Sequence, residues 1–220
     1  MCGRFTLITD VRRIAESFGV APALDIQPRY NIAPTQDVVA ILKNGTAHMS
    51  MLRWGLIPAW AKDETIGSRM INARAETLAE KASFKHLLRG KRCLVVADGF
   101  YEWRADGKGK TPMYITRQDE QPFAFAGLWD LWKSPDGQQI QSCTIITTEP
   151  NELMATIHNR MPAILRPGAY EDWLDPQLRD EEVLTHWLAP YPAELMKARP
   201  VSKLVNNPRN DTAEILAPVV

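Results

Sequence analysis

The sequence predicts an α+β fold, a single domain on a mostly antiparallel, barrel-like β-sheet with peripheral helices. Three observations predict it. Four runs rich in β-branched and aromatic residues, CLVVADGFYEW, PMYITR, PFAFAGLWD and IQSCTIITT, follow one another at short spacing and imply a meander. An earlier pair, DVVAILK and HMSMLRWGL, flanks Asn44-Gly45, a hairpin signal. The chain has 220 residues and 45% hydrophobic content, enough for one full core, and carries no repeat, low-complexity tract or linker.

Taken in order, Thr9 or Asp10 caps a short helix whose Val11, Ile14, Ala15 and Phe18 share a face, and Gly19 stops it. Residues 20–36 hold three prolines and read as an irregular loop. The hairpin follows, then a polar connection, PAWAKDETIGSRM. Thr77 with Glu80 makes a capping-box pattern, and Leu78, Leu87, Leu88 and Gly90 support a helix from about 77 to 89. The four strand runs are separated by DGKGK, QDEQ and SPDG. PGAYEDWL and DEEVLTHWL read as short helical patches, with Val183, Leu184, Trp187 and Leu188 as a core stripe. VSKLVNNPRNDTAE reads as a last strand followed by a loop.

Formal net charge is zero, which argues against a generic polyanion binder. The zero conceals an asymmetry. Residues 1–110 carry 17 Lys+Arg against 11 Asp+Glu, and residues 111–220 carry 9 against 15. The basic half is compatible with a local nucleic-acid face or with solvated surface. Cys2, Cys93 and Cys143 are odd in number and lack a CxxC pair, so neither a disulfide framework nor a zinc cluster is indicated, which fits a reducing compartment. The first residues lack the apolar run of a secretory signal and no stretch is long enough to cross a bilayer, so a soluble, cytoplasmic protein is expected.

MCGRF raises the sharpest chemical question. With Met1 removed, Cys2 carries an α-amine and a thiol on adjacent carbons, with reference pKa values of about 7.7–8.0 and 8.5. That pair condenses with an aldehyde and closes a thiazolidine ring, or the thiol attacks a carbonyl with the amine as base. The alternative is a small buried residue on a first strand. Glu102 lies among aromatics, and alternation puts it on the face of Phe100, opposite Tyr101 and Trp103. Apolar surroundings favour a protonated carboxyl suited to general-acid work, whereas a half-exposed sheet would leave it facing solvent. His158 is a proton shuttle or a structural loop histidine. His48, His86 and His186 have no second ligand at metal spacing. In INARAET, Asn72, Arg74 and Glu76 share one face of an extended strand, as an anion site or a buried network. Trp54 and Trp60 of RWGLIPAW read equally as core.

Together MCGRF, PRYNIAPTQ, RWGLIPAW, INARAET, ADGFYEW, IHNRMP and VSKLVNNPRND, in that order and across essentially all of 1–220, resemble the SOS response-associated peptidase (SRAP) family. The resemblance implies a DNA-damage role: shielding abasic sites in single-stranded DNA through a thiazolidine cross-link to Cys2, with lyase-like chemistry and thiol-dependent loss of Met1. By the same resemblance Glu102 would open the sugar ring as an acid, His158 would shuttle protons, and Asn72 would orient groups around Cys2, with Thr147 on the adjacent strand. Arg4, Arg74 and Arg160 match phosphate-binding positions, and Pro34 would wedge against flanking bases. No cofactor, metal or membrane is implied, and the expected state is a monomer, nucleoid-associated in a bacterium. An N-terminal-cysteine thiol hydrolase and a non-covalent single-stranded DNA binder are the alternatives. The chain departs from the family pattern in AKDETIGSRM, which has no aromatic, and at Ala82.

Overall fold

Between Arg92 and Asp106 nearly every residue is strand-prone, yet the segment does not form one strand. In the computed structural model of the protein, which describes residues 2–107 and 109–219, the chain turns a corner at Asp98 and passes from one sheet into another. The first elements are β1 (Phe5–Leu7), α1 (Val11–Phe18), β2 (Arg29–Ile32), β3 (Asp37–Asn44), β4 (Thr46–Trp54), β5 (Asn72–Arg74) and α2 (Ala82–Leu88). The central strands are β6 (Arg92–Ala97), β7 (Gly99–Asp106), β8 (Gly109–Arg117), β9 (Phe123–Lys133) and β10 (Gln139–Thr148). There follow α3 (Glu152–Ala155), β11 (Met161–Pro162), β12 (Ile164–Leu165), α4 (Tyr170–Leu174), α5 (Glu181–His186) and β13 (Met196–Pro200).

Strands β4, β3, β6, β9 and β10 pair in a ring, because β10 bonds antiparallel to β9 and parallel to β4. This closed, mostly antiparallel barrel is the expected α+β core. β5 adds to β10 in parallel, with Asn72 opposite Ile145 and Arg74 opposite Thr147. The second sheet is antiparallel throughout, in the order β13-β8-β7-β1-β2. Aromatic edges join the two layers: the Phe5 ring of β1 lies 5.2 Å from Trp54 and 5.6 Å from Phe125, and Phe100 of β7 lies 6.0 Å from Phe125. Arg92, 3% exposed, fastens the helices, donating to the carbonyls of Leu88 at 2.5 Å and Trp173 at 2.6 Å.

Several elements follow the sequence pattern and several do not. Asp10 caps α1 by accepting the Arg12 N–H at 2.8 Å, and the β3–β4 hairpin turns at Gly45. The segment 20–36 is not wholly irregular, because the Asp211 carboxylate accepts the N–H groups of Tyr30 and Asn31 and seats β2 beside β1. The capping box at Thr77 does not form. Thr77 ends a 3₁₀ turn (Ala75–Thr77), its hydroxyl turns back to the Arg74 carbonyl, and α2 begins only after Lys81 without a side-chain cap. The meander is broken at Asp98, and the DGKGK turn includes Lys108, outside the described residues. The last strand is β13, ahead of the expected one; VSKLVNN instead forms a 3₁₀ turn (Lys203–Asn206) capped by Ser202. Leu184 of α5 and Leu188 just beyond it are buried but Val183 is 38% exposed, since the helix ends at His186 and presents a narrower face than the stripe suggested.

Gly99 starts β7 directly after the corner. A Cβ there would lie 2.3 Å from the Tyr114 hydroxyl oxygen and 2.4 Å from two ring carbons. The Tyr114 ring is buried and has little room to withdraw. Gly99→Ala is expected to lower stability by about 1–3 kcal/mol, read as a drop in the urea midpoint at unchanged m-value.

Candidate active site

The corner also decides where the N-terminus lies. β1 pairs with β7, Phe5 opposite Phe100 and Thr6 opposite Gly99, and the Tyr101 N–H donates to the Arg4 carbonyl at 2.9 Å. The residues ahead of β1 therefore run along β7 and bring Cys2 beside Glu102. Alternation holds on β7: Phe100 joins the main core, while Tyr101 packs with Tyr114, Val201, Val205 and Ile215 on the outer face and Trp103 lies against that cluster. Glu102 thus faces inward. It is 4% exposed, which excludes the solvent-facing reading, and its Oε1 accepts the Trp103 N–H at 3.3 Å.

Cys2 is fully buried. Burial pushes its thiol well above the ordinary range, the Glu102 carboxylate adds to that shift, and a hydrogen bond from the Arg4 backbone N–H opposes it. The thiol is therefore protonated at neutral pH. Asn72 Nδ2 donates to the Cys2 carbonyl at 2.9 Å, and Asn72 Oδ1 is buried with no hydrogen-bond partner among the described residues. Met1, whose loss the sequence reading requires, lies outside the described residues.

A second cluster continues from Asn72 along β5 to β10. Thr147, opposite Arg74, is fully buried, and its carbonyl accepts from Arg160 Nη2 at 2.7 Å. The Arg160 guanidinium meets Glu76 with two bonds, Nη1 to Oε1 at 2.6 Å and Nη2 to Oε2 at 3.0 Å. His158 Nδ1 lies 3.1 Å from the Arg160 backbone nitrogen and 3.3 Å from the Arg160 carbonyl oxygen, so the ring is held against the Arg160 main chain. His158 is half-buried just past α3, whose cap is Asn151. Glu76 does not share the strand face of Asn72 and Arg74 as the alternation suggested, because the chain enters the 3₁₀ turn at Ala75.

The remaining sequence candidates divide. Arg74 is exposed. Arg4 is half-buried and its Nη1 donates inward, to Asn31 Oδ1 at 3.0 Å and the Val205 carbonyl at 2.7 Å; burial lowers its pKa. Pro34 is half-buried in a turn whose next residue, Thr35, holds a left-handed φ of 73° with its N–H bonded to the Trp54 carbonyl at 2.7 Å. A β-branched residue in that region is strained by about 1–3 kcal/mol. Trp54 is core, its Nε1 donating to the Ile71 carbonyl, whereas Trp60 is 58% exposed. Sequence reasoning missed Asn31, fully buried, whose amide also reaches the carbonyls of Asn207 and Asn210 and ties Arg4 to the C-terminal segment. Its signal was an amide between Tyr30 and Ile32 in a segment read as loop.

A cavity of about 660 Å³ lies on the outer face of the second sheet, lined by Arg13, Asp98, Tyr114, Glu120, Lys197 and Arg199. None of the sequence candidates lines it. Its Asp98 is saturated by internal hydrogen bonds and its Lys197 is paired with Glu120, so volume is a poor guide here. Among the described residues no three His, Cys, Asp or Glu side chains could hold a metal ion, and no helix is long and apolar enough to cross a membrane.

The family profile described as SOS response associated peptidase (SRAP) matches residues 1–208. The chain belongs to the SRAP family. Among its SRAP relatives, abasic site processing protein YoqW of Bacillus subtilis (strain 168) is 49% identical over 221 residues, covering 98% of this chain and 99% of the relative. Abasic site processing protein YedK of Escherichia coli (strain K12) is 31% identical over the whole of both chains. A crystal structure of a protein from Bacteroides thetaiotaomicron matches the full length of both chains with a TM-score of 0.88 at 30% identity. The SRAP positions carried over from sequence thus sit on a fold shared end to end with a solved structure.

Asn72→Ala removes the donor to the Cys2 carbonyl. It is expected to cost about 1 kcal/mol and to speed amide exchange of Gly3 and Arg4, as read by hydrogen-exchange mass spectrometry. A thiol reagent at pH 8 is expected to leave Cys93 and Cys143 unmodified in the folded protein and to modify both in denaturant, because both are fully buried and burial raises their pKa values.

Proposed function

We propose that this chain processes abasic sites in single-stranded DNA, and that Cys2, freed of Met1, captures the ring-opened sugar aldehyde as a thiazolidine. The observation that carries the reading is the position of Cys2, its carbonyl held by Asn72 and its thiol beside the Glu102 carboxylate. The names of the SRAP relatives YoqW and YedK, both abasic site processing proteins, support the substrate class.

The chemistry follows from the two nucleophiles. With Met1 attached, the Cys2 nitrogen is an amide and does not form an imine. Once free, the α-amine is the first nucleophile, because only nitrogen can form the iminium to which sulfur then adds. Glu102 gives a proton to the sugar ring oxygen as the C1′ hydroxyl passes its own to His158, and the aldehyde forms. The amine adds to that carbon, and water leaves with a proton supplied through His158, giving an iminium. Sulfur then adds to the same carbon while its proton passes to the Glu102 carboxylate, which restores the acid. The sum is amine, thiol and aldehyde going to thiazolidine and water. Arg74 and Arg160 hold phosphates, Arg4 adds a contact only through guanidinium nitrogens not given to Asn31 and Val205, Thr147 backs Arg160, and Pro34 abuts a flanking base. The peptidase in the family's description favours one further step, self-removal of Met1 with Cys2 as nucleophile. Loss of Met1 in an aminopeptidase-free translation system, abolished by Cys2→Ala, checks that step.

Intact mass spectrometry after incubation with abasic and undamaged oligonucleotides tests the main reading. The expected product is protein lacking Met1 plus abasic oligonucleotide minus water, absent with undamaged DNA and absent in Cys2→Ser. Glu102→Gln is expected to slow linkage by about 10²–10⁴-fold at unchanged DNA affinity. No adduct from the wild-type protein overturns the reading.

A further inference from the structure

Arg160 is offered as a phosphate contact, yet in the structure its guanidinium already holds an anion. Glu76 faces it with both carboxylate oxygens, at 2.6 and 3.0 Å. This fork-to-fork geometry is the one a guanidinium offers to two phosphate oxygens. Arg74, exposed on β5, also acts on the Glu76 carboxylate and helps hold it below the ordinary range. The side-chain hydrogen bonds on the Glu76 carboxylate come from the Arg160 guanidinium.

The two sides of this pair are anchored very differently. Arg160 is fixed independently of Glu76: Nη2 donates to the Thr147 carbonyl at 2.7 Å and only 16% of its side chain is exposed. Glu76 stands on a short 3₁₀ turn with 51% of its side chain in solvent. A half-exposed ion pair is weak in water and exchanges readily. The arginine is the fixed part and the carboxylate the removable one.

We infer that Glu76 is a displaceable internal anion that a DNA phosphate must replace on Arg160, and that it weakens reversible binding to every strand, damaged or not. This inference rests on the proposed function, in which Arg160 takes a phosphate. An undamaged strand, held only by reversible contacts, is released sooner. An abasic strand is retained by its covalent bond, so the same carboxylate sharpens the preference for lesions without reading any base. The exchange leaves the neighbouring histidine in place, because His158 Nδ1 is held against the Arg160 main chain.

The test measures fluorescence anisotropy of an undamaged single-stranded oligonucleotide against salt concentration, with Glu76→Gln and Glu76→Ala. Both variants are expected to bind about three- to ten-fold more tightly at low salt, with a log–log salt slope steeper by about 0.7. In an Arg160→Gln background the gain from Glu76→Gln is expected to vanish. Unchanged or weaker binding by both variants overturns the inference and makes Glu76 a brace for Arg160. Absence of binding by any of the proteins overturns the phosphate role of Arg160 along with it. Tighter binding by the variants with no covalent adduct from wild type sustains the role of Glu76 and removes the thiazolidine reading, so the two failures are distinct.

Discussion

The Asp98 carboxylate accepts four hydrogen bonds, from Thr6 Oγ1 at 2.5 Å, Ile8 N at 2.6 Å, Thr9 N at 2.8 Å and Thr9 Oγ1 at 2.9 Å. It sits where β6 of the barrel passes into β7 of the second sheet, so these bonds fasten the N-terminal strand to the joint between the two layers. β1 is only three residues long and could not hold its register by ladder bonds alone. A slip of one residue would turn Phe5 out of its contact with Trp54 and Phe125 and reverse the face of every neighbour. The placement of Cys2 beside Glu102 and under Asn72 follows from that register.

Charge counting gave a basic N-terminal half, and the structure takes several of its cations out of any bare cationic face. Arg92 is buried and serves helix ends, its pKa lowered to about 10 by burial, so it stays charged at neutral pH while contributing nothing to a surface. Arg4 is turned inward to Asn31 and Val205. Arg53 is paired with Glu64 and Arg29 with Asp211. Cations fixed in this way add little to a diffuse polyanion field.

Sequence pattern revealed the strand-rich core, the hairpin at Gly45 and α1, and it put Glu102 on the face of Phe100, because each depends on neighbours within a few residues; which of Thr9 and Asp10 caps the helix and whether the Glu102 face is buried came from the structure. It did not reveal that CLVVADGFYEW is two strands in two sheets, since the cause is a carboxylate binding a segment about ninety positions earlier in the chain. The failed capping box at Thr77 has a similar origin: β5 is drawn onto β10, and the chain leaves that ladder through a 3₁₀ turn that uses the threonine hydroxyl locally. The site was legible as residue types in motifs. Its wiring was not, because Asn72 to Cys2, Arg160 to Glu76 and Arg4 to Asn31 each join positions far apart in the chain.

The turn after Pro34 bears on how this protein would respond to engineering. Thr35 occupies backbone space that glycine or asparagine enters more easily, so the native choice stores free energy next to a position assigned to the DNA contact. Selection for heat resistance would favour replacing it, and a stabilisation scheme that ranks sites by backbone strain would choose it early. Such hardened variants would relax the loop that carries the proline, making Thr35 a place where gains in robustness and retention of lesion handling pull in opposite directions.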